Sequence, residues 1–225
     1  VNTHGTLHLA ATAAKCGVKR FVYLSSIGVN GNCSTIPFTE TSPPSPIEAY
    51  AQSKLEAEEG LRKLGDESGL EVVIVRPPLV YGPNCPGNFF ALLKLVQSAF
   101  PLPFAAIKNK RSLIGVDNLV DFLAHCIDKP EAANKTFIIS DDADISTPDL
   151  IRVLAKAMNR PCLLFPAPYD WLLLLAKAIG RASALEKLCG DLQVDSSFAR
   201  NTLNWTQPIS QGQGLAEVGR WFAST

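Results

Sequence analysis

The chain has 225 residues, 47% of them apolar, and its 21 Lys and Arg residues are balanced by 21 Asp and Glu residues. This length and composition allow a substantial hydrophobic core in one domain, or in one domain with a smaller lobe. The formal charge of zero gives no sign of a nucleic-acid partner or of attraction to an anionic membrane.

Residues 3–14 are rich in Ala, Leu and Thr and predict a first helix that ends at Gly17, a residue suited to the left-handed position after a helix. The run RFVYLSS, residues 20–26, comes next. Its aromatic and β-branched residues do not alternate with polar ones, which predicts a strand covered on both faces. A polar, proline-rich loop follows this strand.

Ser45-Pro46-Ile47-Glu48 has the form of a capping box with proline at the first helical position, so a second helix should begin near residue 46. We expect this helix to end at Gly65 or Gly69. EVVIVR, residues 71–76, predicts another buried strand, and residues 77–88 predict a loop.

The rest of the chain repeats this alternation. Helical patterns occupy residues 88–98, 117–128, 148–159 and 169–179, with short apolar runs such as KTFIIS between them. Strands that alternate with helices imply a parallel sheet in an α/β fold.

Cysteine usage and hydropathy bear on the compartment. The six cysteines include no C-x-x-C pair, which is typical of reduced thiols in a reducing compartment, so we expect a cytoplasmic protein. The longest apolar run, Trp171–Ala176, is far shorter than the ~20 residues that a membrane span needs.

Candidate metal ligands are weak. The histidines, His4, His8 and His125, have no partners at metal or triad spacing. Asp141, Asp142 and Asp144 lack the remaining ligands of a calcium loop, so we expect them to be solvated. The sequence therefore predicts no metal site.

Tyr50 and Lys54 stand four residues apart in the predicted second helix, so their side chains share one face. A nearby ammonium favours the phenolate form of a tyrosine and makes it a better proton donor and acceptor near neutral pH. A serine hydroxyl beside them would hold the same substrate oxygen in place. The spacing alone is weak, because it also describes a lysine that packs along a half-buried tyrosine.

The motifs around this pair follow a characteristic order. FVYLSSIGVNG precedes it and VVIVRPPLVYGP follows it, while VNTHGTLHLAATAAKCGVKRFVYLSS opens the chain. This order resembles the extended short-chain dehydrogenase/reductase superfamily. More narrowly, it is similar to the NAD-dependent nucleotide-sugar epimerase/dehydratase family over nearly the whole chain.

The resemblance implies a catalytic set of Ser26, Tyr50 and Lys54. Ser26 lies three residues before Val29-Asn30-Gly31, a triplet in which asparagine replaces the family's aromatic residue, and Ser25 is the alternative serine. Tyr50 matches the family's proton-transferring tyrosine. Lys54 matches the lysine that binds the nicotinamide ribose.

The resemblance also implies NAD or NADP as the cofactor and a nucleotide sugar as the substrate. Besides Tyr50 and Lys54, the residues that match cofactor contacts are Asn2, Ser25, Pro77, Pro78 and Val80. Ser26 would also contact the substrate, and the residues that match other substrate contacts are Asn88, Arg111 and Lys187.

These substrate assignments differ in strength. A guanidinium such as that of Arg111 suits phosphate because it binds in a bidentate way. The family's later phosphate-binding arginine has no clean match, and Lys187 is only the nearest residue. The alternative interpretations are that Arg111 is a surface cation before a strand and that Asn88 caps a helix.

The expected reaction is hydride transfer at C4 of a UDP-sugar, by a 4-epimerase or a 4-keto-6-deoxy-sugar reductase in polysaccharide precursor synthesis. Dehydration is not expected, because Ile27 and Gly28 stand where the family's dehydratases carry an Asp-Glu pair. Two alternatives stay open. One is a superfamily reductase or dehydrogenase of a steroid- or flavonoid-like ketone, and the other is a non-catalytic dinucleotide-sensing scaffold.

The resemblance implies a Rossmann-type parallel sheet whose N-terminal half is missing, together with a small C-terminal substrate-binding lobe. No Gly-rich turn follows a strand in the sequence. We expect residues 1–85 to form the C-terminal half of the dinucleotide-binding domain and residues 86–225 to form mainly the lobe, with about 111–140 returning to the sheet. The strand at 20–25 should be an open sheet edge, the isolated chain should bind no dinucleotide tightly, and the full-length protein should be a homodimer.

Overall fold

A computed structural model describes residues 2–141 and 143–225. The helices are α1 (Asn2–Lys15), α2 (Ala49–Ser68), α3 (Asn88–Gln97), α4 (Val116–Asp128), α5 (Thr147–Ala157), α6 (Tyr169–Ala178), α7 (Ala182–Cys189), α8 (Ser197–Leu203) and α9 (Gln211–Ala223). The strands are β1 (Arg20–Leu24), β2 (Glu71–Arg76), β3 (Leu79–Tyr81), β4 (Arg111–Gly115), β5 (Thr136–Ile138) and β6 (Asp144–Ile145). Short 3₁₀ helices span Ile27–Val29 and Pro130–Ala132.

The strands form two three-stranded sheets in the described part of the chain. In the first, β1, β2 and β5 are parallel, and β1 lies at an edge, where the strand at 20–25 was expected. In the second, β3 is parallel to β4 and β6 is antiparallel to it. The pairing of β5 with β2 brings part of the 111–140 segment into the first sheet, while the domain boundaries stay predictions.

The central strand of the first sheet, β2, is apolar on both faces. Val73 and Val75 pack into one core with residues of α4 and α8. Val72 and Ile74 pack into another core with residues of α1 and α2. Since helices cover both faces, the strand needs no polar alternation, and the α/β fold with a covered parallel sheet is confirmed.

A third core joins the second sheet to α3, α5 and α9. Leu113 of β4, Leu93 of α3 and Leu154 of α5 are fully buried in it. Helices α5 and α9 approach closely at Gly219, where an added Cβ would lie 2.5 Å from the Cβ of Ala157. The close helix contact therefore depends on glycine at this position.

The start of α2 differs from the sequence prediction. The helix begins at Ala49 rather than near residue 46, and its N-cap, Glu48, has an extended backbone and makes no capping hydrogen bond with its side chain. The N–H of Ser45 donates instead to the carbonyl of Val29 at 2.9 Å, a contact that ties the preceding segment to the loop after β1. At the other end the prediction holds, because Gly69 ends the helix with φ at 74°.

The segment 77–88 was expected to be a loop, and this prediction is wrong for Leu79–Tyr81. These three residues form β3 because they pair in parallel with Leu113–Gly115 of β4. A strand this short is specified by a partner more than thirty residues away and not by its own pattern.

Among the described residues, no helix is long and apolar enough to cross a membrane. The same part of the chain holds no group of three or more His, Cys, Asp or Glu residues that could bind a metal ion.

Candidate active site

A cavity of about 900 Å³ opens beside the carboxyl ends of the first two strands. Its lining includes Ser26, which follows β1, Tyr50 of α2, Arg111 of β4 and Lys187 of α7. Ligands of open parallel α/β sheets bind beside the carboxyl ends of the strands, so the cavity lies where this fold places a ligand. The structure thus brings four of the residues that the sequence predicted around one space.

Ser26 is positioned by the short 3₁₀ helix that it caps. Its Oγ accepts a hydrogen bond from the N–H of Gly28 at 3.1 Å, and the hydroxyl lines the cavity. The next residue, Ile27, donates its N–H to the carbonyl of Pro77 at 2.9 Å, which ties this turn to the end of β2. Ser26 therefore presents a hydroxyl from a fixed backbone.

Ser25, the alternative serine and a predicted cofactor contact, points elsewhere. It is buried, and its hydroxyl donates to Oε1 of Glu58 at 2.6 Å. Since this hydroxyl is engaged in the protein interior, the geometry favours Ser26 over Ser25 for contact with a ligand.

Tyr50 and Lys54 share one face of α2, as their spacing predicted. The Tyr50 ring is half exposed and lines the cavity, and Nζ of Lys54 lies 5.7 Å from the centre of that ring. The same ammonium donates to the carbonyl of Leu24 at 2.9 Å. Lys54 is therefore held between the end of β1 and the exposed tyrosine.

The charge of Lys54 is set by two opposing effects. Burial lowers the pKa of Lys54 below its ordinary value, and the nearby carboxylate of Glu58, one helical turn further along α2, opposes this shift. Glu58 thus favours the charged ammonium in a partly desolvated place.

Tyr23 of β1 also lies beside Lys54, whose Nζ is 4.7 Å from the centre of its ring. Its hydroxyl is buried beside Thr6 and forms no hydrogen bond of normal geometry among the described residues. Burial, followed by the charge of Glu58, raises the pKa of Tyr23 to about 12. Tyr23 therefore stays protonated at neutral pH and is not suited to exchange protons.

A buried polar network lies behind these side chains, and sequence reasoning missed it. Arg76, at the end of β2, donates from Nε to Oε1 of Glu58 at 2.9 Å and from Nη2 to Oε2 of the same carboxylate. Its Nη1 donates to Oδ1 of Asn30 at 3.1 Å. Glu58 also accepts from Ser25 and Arg62, so the network joins both strand ends to α2.

This network keeps Glu58 ionised in the core. Burial is the largest single influence and would raise the pKa of the carboxyl group, but the hydrogen bonds and charge of Arg76, with help from Ser25 and Arg62, hold it below its ordinary value. The one sequence signal was an arginine directly after the apolar run of β2, at a position where a buried charge requires a counter-ion.

The predicted cofactor residues are only partly gathered at the cavity. Pro78 and Val80 line it. Pro77 lies beside it and accepts the backbone hydrogen bond from Ile27. Asn2 is exposed at the start of α1, where Nδ2 donates to Oγ of Ser53 at 3.4 Å. Asn2 is therefore near α2 but is absent from the described cavity lining.

The predicted phosphate ligand Arg111 is a residue of β4 and is buried, not a surface cation before a strand. Its Nη1 donates to the carbonyl of Gly190 at 2.9 Å while the side chain lines the cavity. Burial lowers the pKa of Arg111, and the nearby Cys189 and Asp191 act in the opposite direction. A buried guanidinium that faces a cavity is a strong anion ligand.

Lys187 and Asn88 also line the cavity. Nζ of Lys187 lies 2.5 Å from Oε1 of Glu48, and this hydrogen bond holds the pKa of Glu48 below its ordinary value. Asn88 is exposed in the first turn of α3, whose N-cap is Gly87, so the capping alternative does not hold for Asn88. The lining includes a further cation, Arg181, which sequence reasoning missed.

Asp141 contradicts the expectation that the aspartates near residue 141 are solvated. It is 1% exposed and accepts hydrogen bonds from the hydroxyl of Tyr81 at 2.7 Å and from Nδ2 of Asn118 at 2.7 Å. Burial, and then this carboxylate, raise the pKa of Tyr81. Asp142 lies outside the described residues, so the expectation is not tested there.

The fold and the site define an α/β protein with a Rossmann-type sheet and a ligand cavity at its strand ends. The sequence profile of the NAD dependent epimerase/dehydratase family matches residues 1–140, and the chain belongs to this family. The expected family is therefore confirmed.

Two curated relatives match almost all of the chain. UDP-glucose 4-epimerase from Vibrio cholerae is 43% identical over 225 residues, which cover 99% of this chain and 69% of that protein. N-acetyl-alpha-D-glucosaminyl-diphospho-ditrans,octacis-undecaprenol 4-epimerase from Escherichia coli O157:H7 is 28% identical and covers 96% of this chain and 69% of that protein.

The fold is also that of a solved structure. UDP-glucuronic acid 4-epimerase from Bacillus cereus, in complex with NAD, superposes with a TM-score of 0.79 at 18% identity. The match covers 99% of this chain and 67% of that chain. At this identity the likeness establishes the Rossmann-type fold.

Proposed function

We propose that Ser26, Tyr50 and Lys54 carry out NAD(P)-dependent chemistry at C4 of a nucleotide sugar, with a UDP-sugar 4-epimerase as the first candidate. The observation that carries this proposal is the half-exposed Tyr50, which lines the cavity with Ser26 and Arg111 and lies beside the Lys54 ammonium. The Vibrio cholerae relative, named a UDP-glucose 4-epimerase, supports the choice of reaction.

The residues present fit a nicotinamide cofactor. Lys54 has three donor hydrogens, of which the carbonyl of Leu24 takes one, so donor capacity remains for a ribose hydroxyl. Pro78 and Val80 offer an apolar surface for a nicotinamide ring. When bound, NAD(P) supplies the acceptor and donor of hydride.

The chain's own residues move the proton and hold the reacting group. Tyr50 exchanges a proton with the oxygen at C4, and the ammonium of Lys54 lies 5.7 Å from the centre of its ring. The Ser26 hydroxyl binds the same oxygen from its fixed position at the start of the 3₁₀ helix. The same residues can take a proton from a C4 hydroxyl or give one to a C4 ketone. A 4-ketosugar reductase is therefore the second candidate.

The cations of the cavity select an activated sugar. Arg111 and Lys187 bind the diphosphate of the substrate, and Asn88 contributes a polar contact at the cavity rim. A ketone without phosphate, such as a steroid or flavonoid, would leave the buried Arg111 facing a neutral ligand. A diphosphate sugar is therefore the better match.

Incubation of the full-length protein with UDP-glucose and UDP-N-acetylglucosamine tests the proposal. An epimerase interconverts the C4 epimers without net consumption of NAD(P)H, whereas a reductase consumes NAD(P)H only with a 4-keto sugar. Tyr50→Phe should lose most of this activity. Its control is Tyr169→Phe, which alters a tyrosine outside the described cavity lining and should keep the activity. A protein that does neither reaction with any UDP-sugar contradicts the proposal.

We further propose that the protein acts in the cytoplasm as a homodimer that supplies polysaccharide precursors. All six cysteines are free thiols, as a reducing compartment favours. Sedimentation equilibrium of the full-length protein measures the assembly, and a monomer at micromolar concentration contradicts this part of the proposal.

A further inference from the structure

Helix α6 presents large apolar side chains to solvent. The α6 face consists of Trp171, Leu174, Leu175 and Ile179, which are 71%, 70%, 65% and 73% exposed. Their spacing of three, four and eight residues places them along one side of the helix and its last turn. A contiguous exposed apolar surface of this kind marks a binding site.

The chain before α6 also exposes apolar side chains. Leu163 and Phe165 are about half exposed, and the backbone of this segment pairs with Leu102 through hydrogen bonds of 2.8 Å and 3.1 Å. Phe100, just before Leu102, is also exposed.

The α6 face is continuous with the wall of the cavity. Leu175 and Ile179 line the cavity together with the buried Leu172 and Ala176. These four residues are the ones that α6 and its C-cap place in the described cavity lining, and all of them are apolar. A hydrocarbon chain can thus pass from the cavity onto the outside of α6 without leaving an apolar surface.

The same cavity holds cations that suit a diphosphate. Arg111 is buried in its wall, and Arg181 and Lys187 follow the α6 face along the chain and also line it. A nucleoside base requires hydrogen-bond partners, which the side chains of the α6 wall do not offer. The cavity therefore combines an anion site with an apolar exit.

We propose that the α6 face binds the hydrocarbon of a lipid-linked sugar diphosphate, so that the site accepts a sugar carried on a long-chain alcohol diphosphate as well as on a nucleotide. This inference rests on the C4 chemistry proposed above and adds a second class of carrier to it. The anionic diphosphate lies at the cations of the cavity, and the chain leaves along Leu175 and Ile179.

Charge and position favour this ligand over two other occupants. Residues 169–187 contain three basic side chains, Lys177, Arg181 and Lys187, against two acidic ones, Asp170 and Glu186. A net charge of about +1 is not the strong basic excess of a helix that docks on an anionic bilayer. A second copy of the chain seated on Leu175 would cover a residue that also lines the cavity. A ligand that begins inside the cavity avoids both problems.

Trp171 provides a direct readout because it is largely exposed. Trp205 is buried and donates to Asp121, and Trp221 is partly buried against the core of the second sheet. Farnesyl diphosphate should shift the tryptophan emission of the full-length protein to the blue in a saturable titration, and UDP should not. Trp171→Phe should abolish the shift. Leu174→Ser should weaken binding at least tenfold. Leu9→Ser, which alters a comparably exposed leucine on α1, should leave binding unchanged.

Three results would overturn the inference. The first is no shift with farnesyl diphosphate. The second is an equal shift with phospholipid vesicles that carry no diphosphate, which would mean bilayer docking. The third is a dimer at micromolar concentration that Leu174→Ser dissociates, which would mean that a second copy covers the α6 face.

A turnover experiment separates this inference from the proposed function. The same sugar is presented on UDP and on farnesyl diphosphate, and kcat/KM is measured for both. The inference is supported if the protein turns over both substrates and if Leu174→Ser lowers the ratio of kcat/KM for the farnesyl-linked sugar to kcat/KM for the UDP-sugar at least tenfold. Turnover of the UDP-sugar alone refutes it while the proposed function stands, and turnover of neither refutes both.

Discussion

The buried ion pair of Glu58 and Arg76 tests how the site is held in place. Glu58 is fully buried and Arg76 is 3% exposed, so replacing either one leaves the other charge in the core with its main counter-ion gone. Breaking a buried pair in this way costs about 3–5 kcal/mol. We expect Glu58→Leu and Arg76→Met each to lower the free energy of unfolding by about 3 kcal/mol or more.

The double variant Glu58→Leu/Arg76→Met should recover much of this loss, because packed apolar residues often replace a buried pair at little net cost. Urea unfolding of wild type, the two single variants and the double variant gives the coupling energy between Glu58 and Arg76. The control is Glu67→Leu, which breaks an exposed pair with Lys63 on the same helix and should cost less than about 1 kcal/mol. Single-variant losses as small as the control's would refute the reasoning.

The carboxylate of Glu58 also makes the stability of the folded state depend on pH. The pKa of Glu58 is held below its ordinary value, so the folded state binds its proton less readily than the unfolded chain does. Its contribution to stability is complete above the unfolded pKa of about 4.3 and is lost as the pH falls through the lower folded value. Wild type should therefore lose stability below about pH 5 more steeply than Glu58→Leu does.

Three further variants probe the site and the packing. Lys54→Met should lose turnover and bind NAD(P) about tenfold more weakly in a cofactor titration, because a charge-assisted hydrogen bond is removed, and unchanged affinity would contradict the role of Lys54. Arg111→Ala should raise KM for a UDP-sugar far more than it lowers kcat, and an unchanged KM would indicate a substrate without a diphosphate. Gly219→Ala should cost about 1–3 kcal/mol in thermal unfolding, because its Cβ would meet that of Ala157 at 2.5 Å. Gly212→Ala faces open space in the same helix and should cost nothing, so equal effects of the two substitutions would contradict the packing of α5 on α9.

The sequence was most informative where a pattern is local. The apolar run of β2 predicts burial on both faces of the strand. The four-residue spacing of Tyr50 and Lys54 places both side chains on one face of α2. Gly69 ends α2 because its positive φ is accessible to glycine. These features follow from residues within one element, so they could be predicted.

The features that sequence reasoning missed depend on distant partners. Arg76 meets Glu58 only because β2 lies beside α2, and nothing local to either residue specifies the pair. Asp141 looked like a loop carboxylate, yet it is buried because Tyr81 and Asn118 from two other elements donate to it. Arg181 lines the cavity because the chain turns toward it between α6 and α7. No periodic sequence pattern predicts the direction of that turn.

The central claim is that Tyr50 transfers the proton at C4, and Tyr50→Phe in the full-length protein tests it most directly. The measurement is the rate of C4 interconversion of a UDP-sugar by chromatography, with NAD(P) affinity determined on the same sample. General acid–base catalysis contributes about 10²–10⁴-fold, so the rate should fall at least about 100-fold while cofactor affinity changes little. A rate close to that of wild type, with the cofactor still bound, would contradict the account.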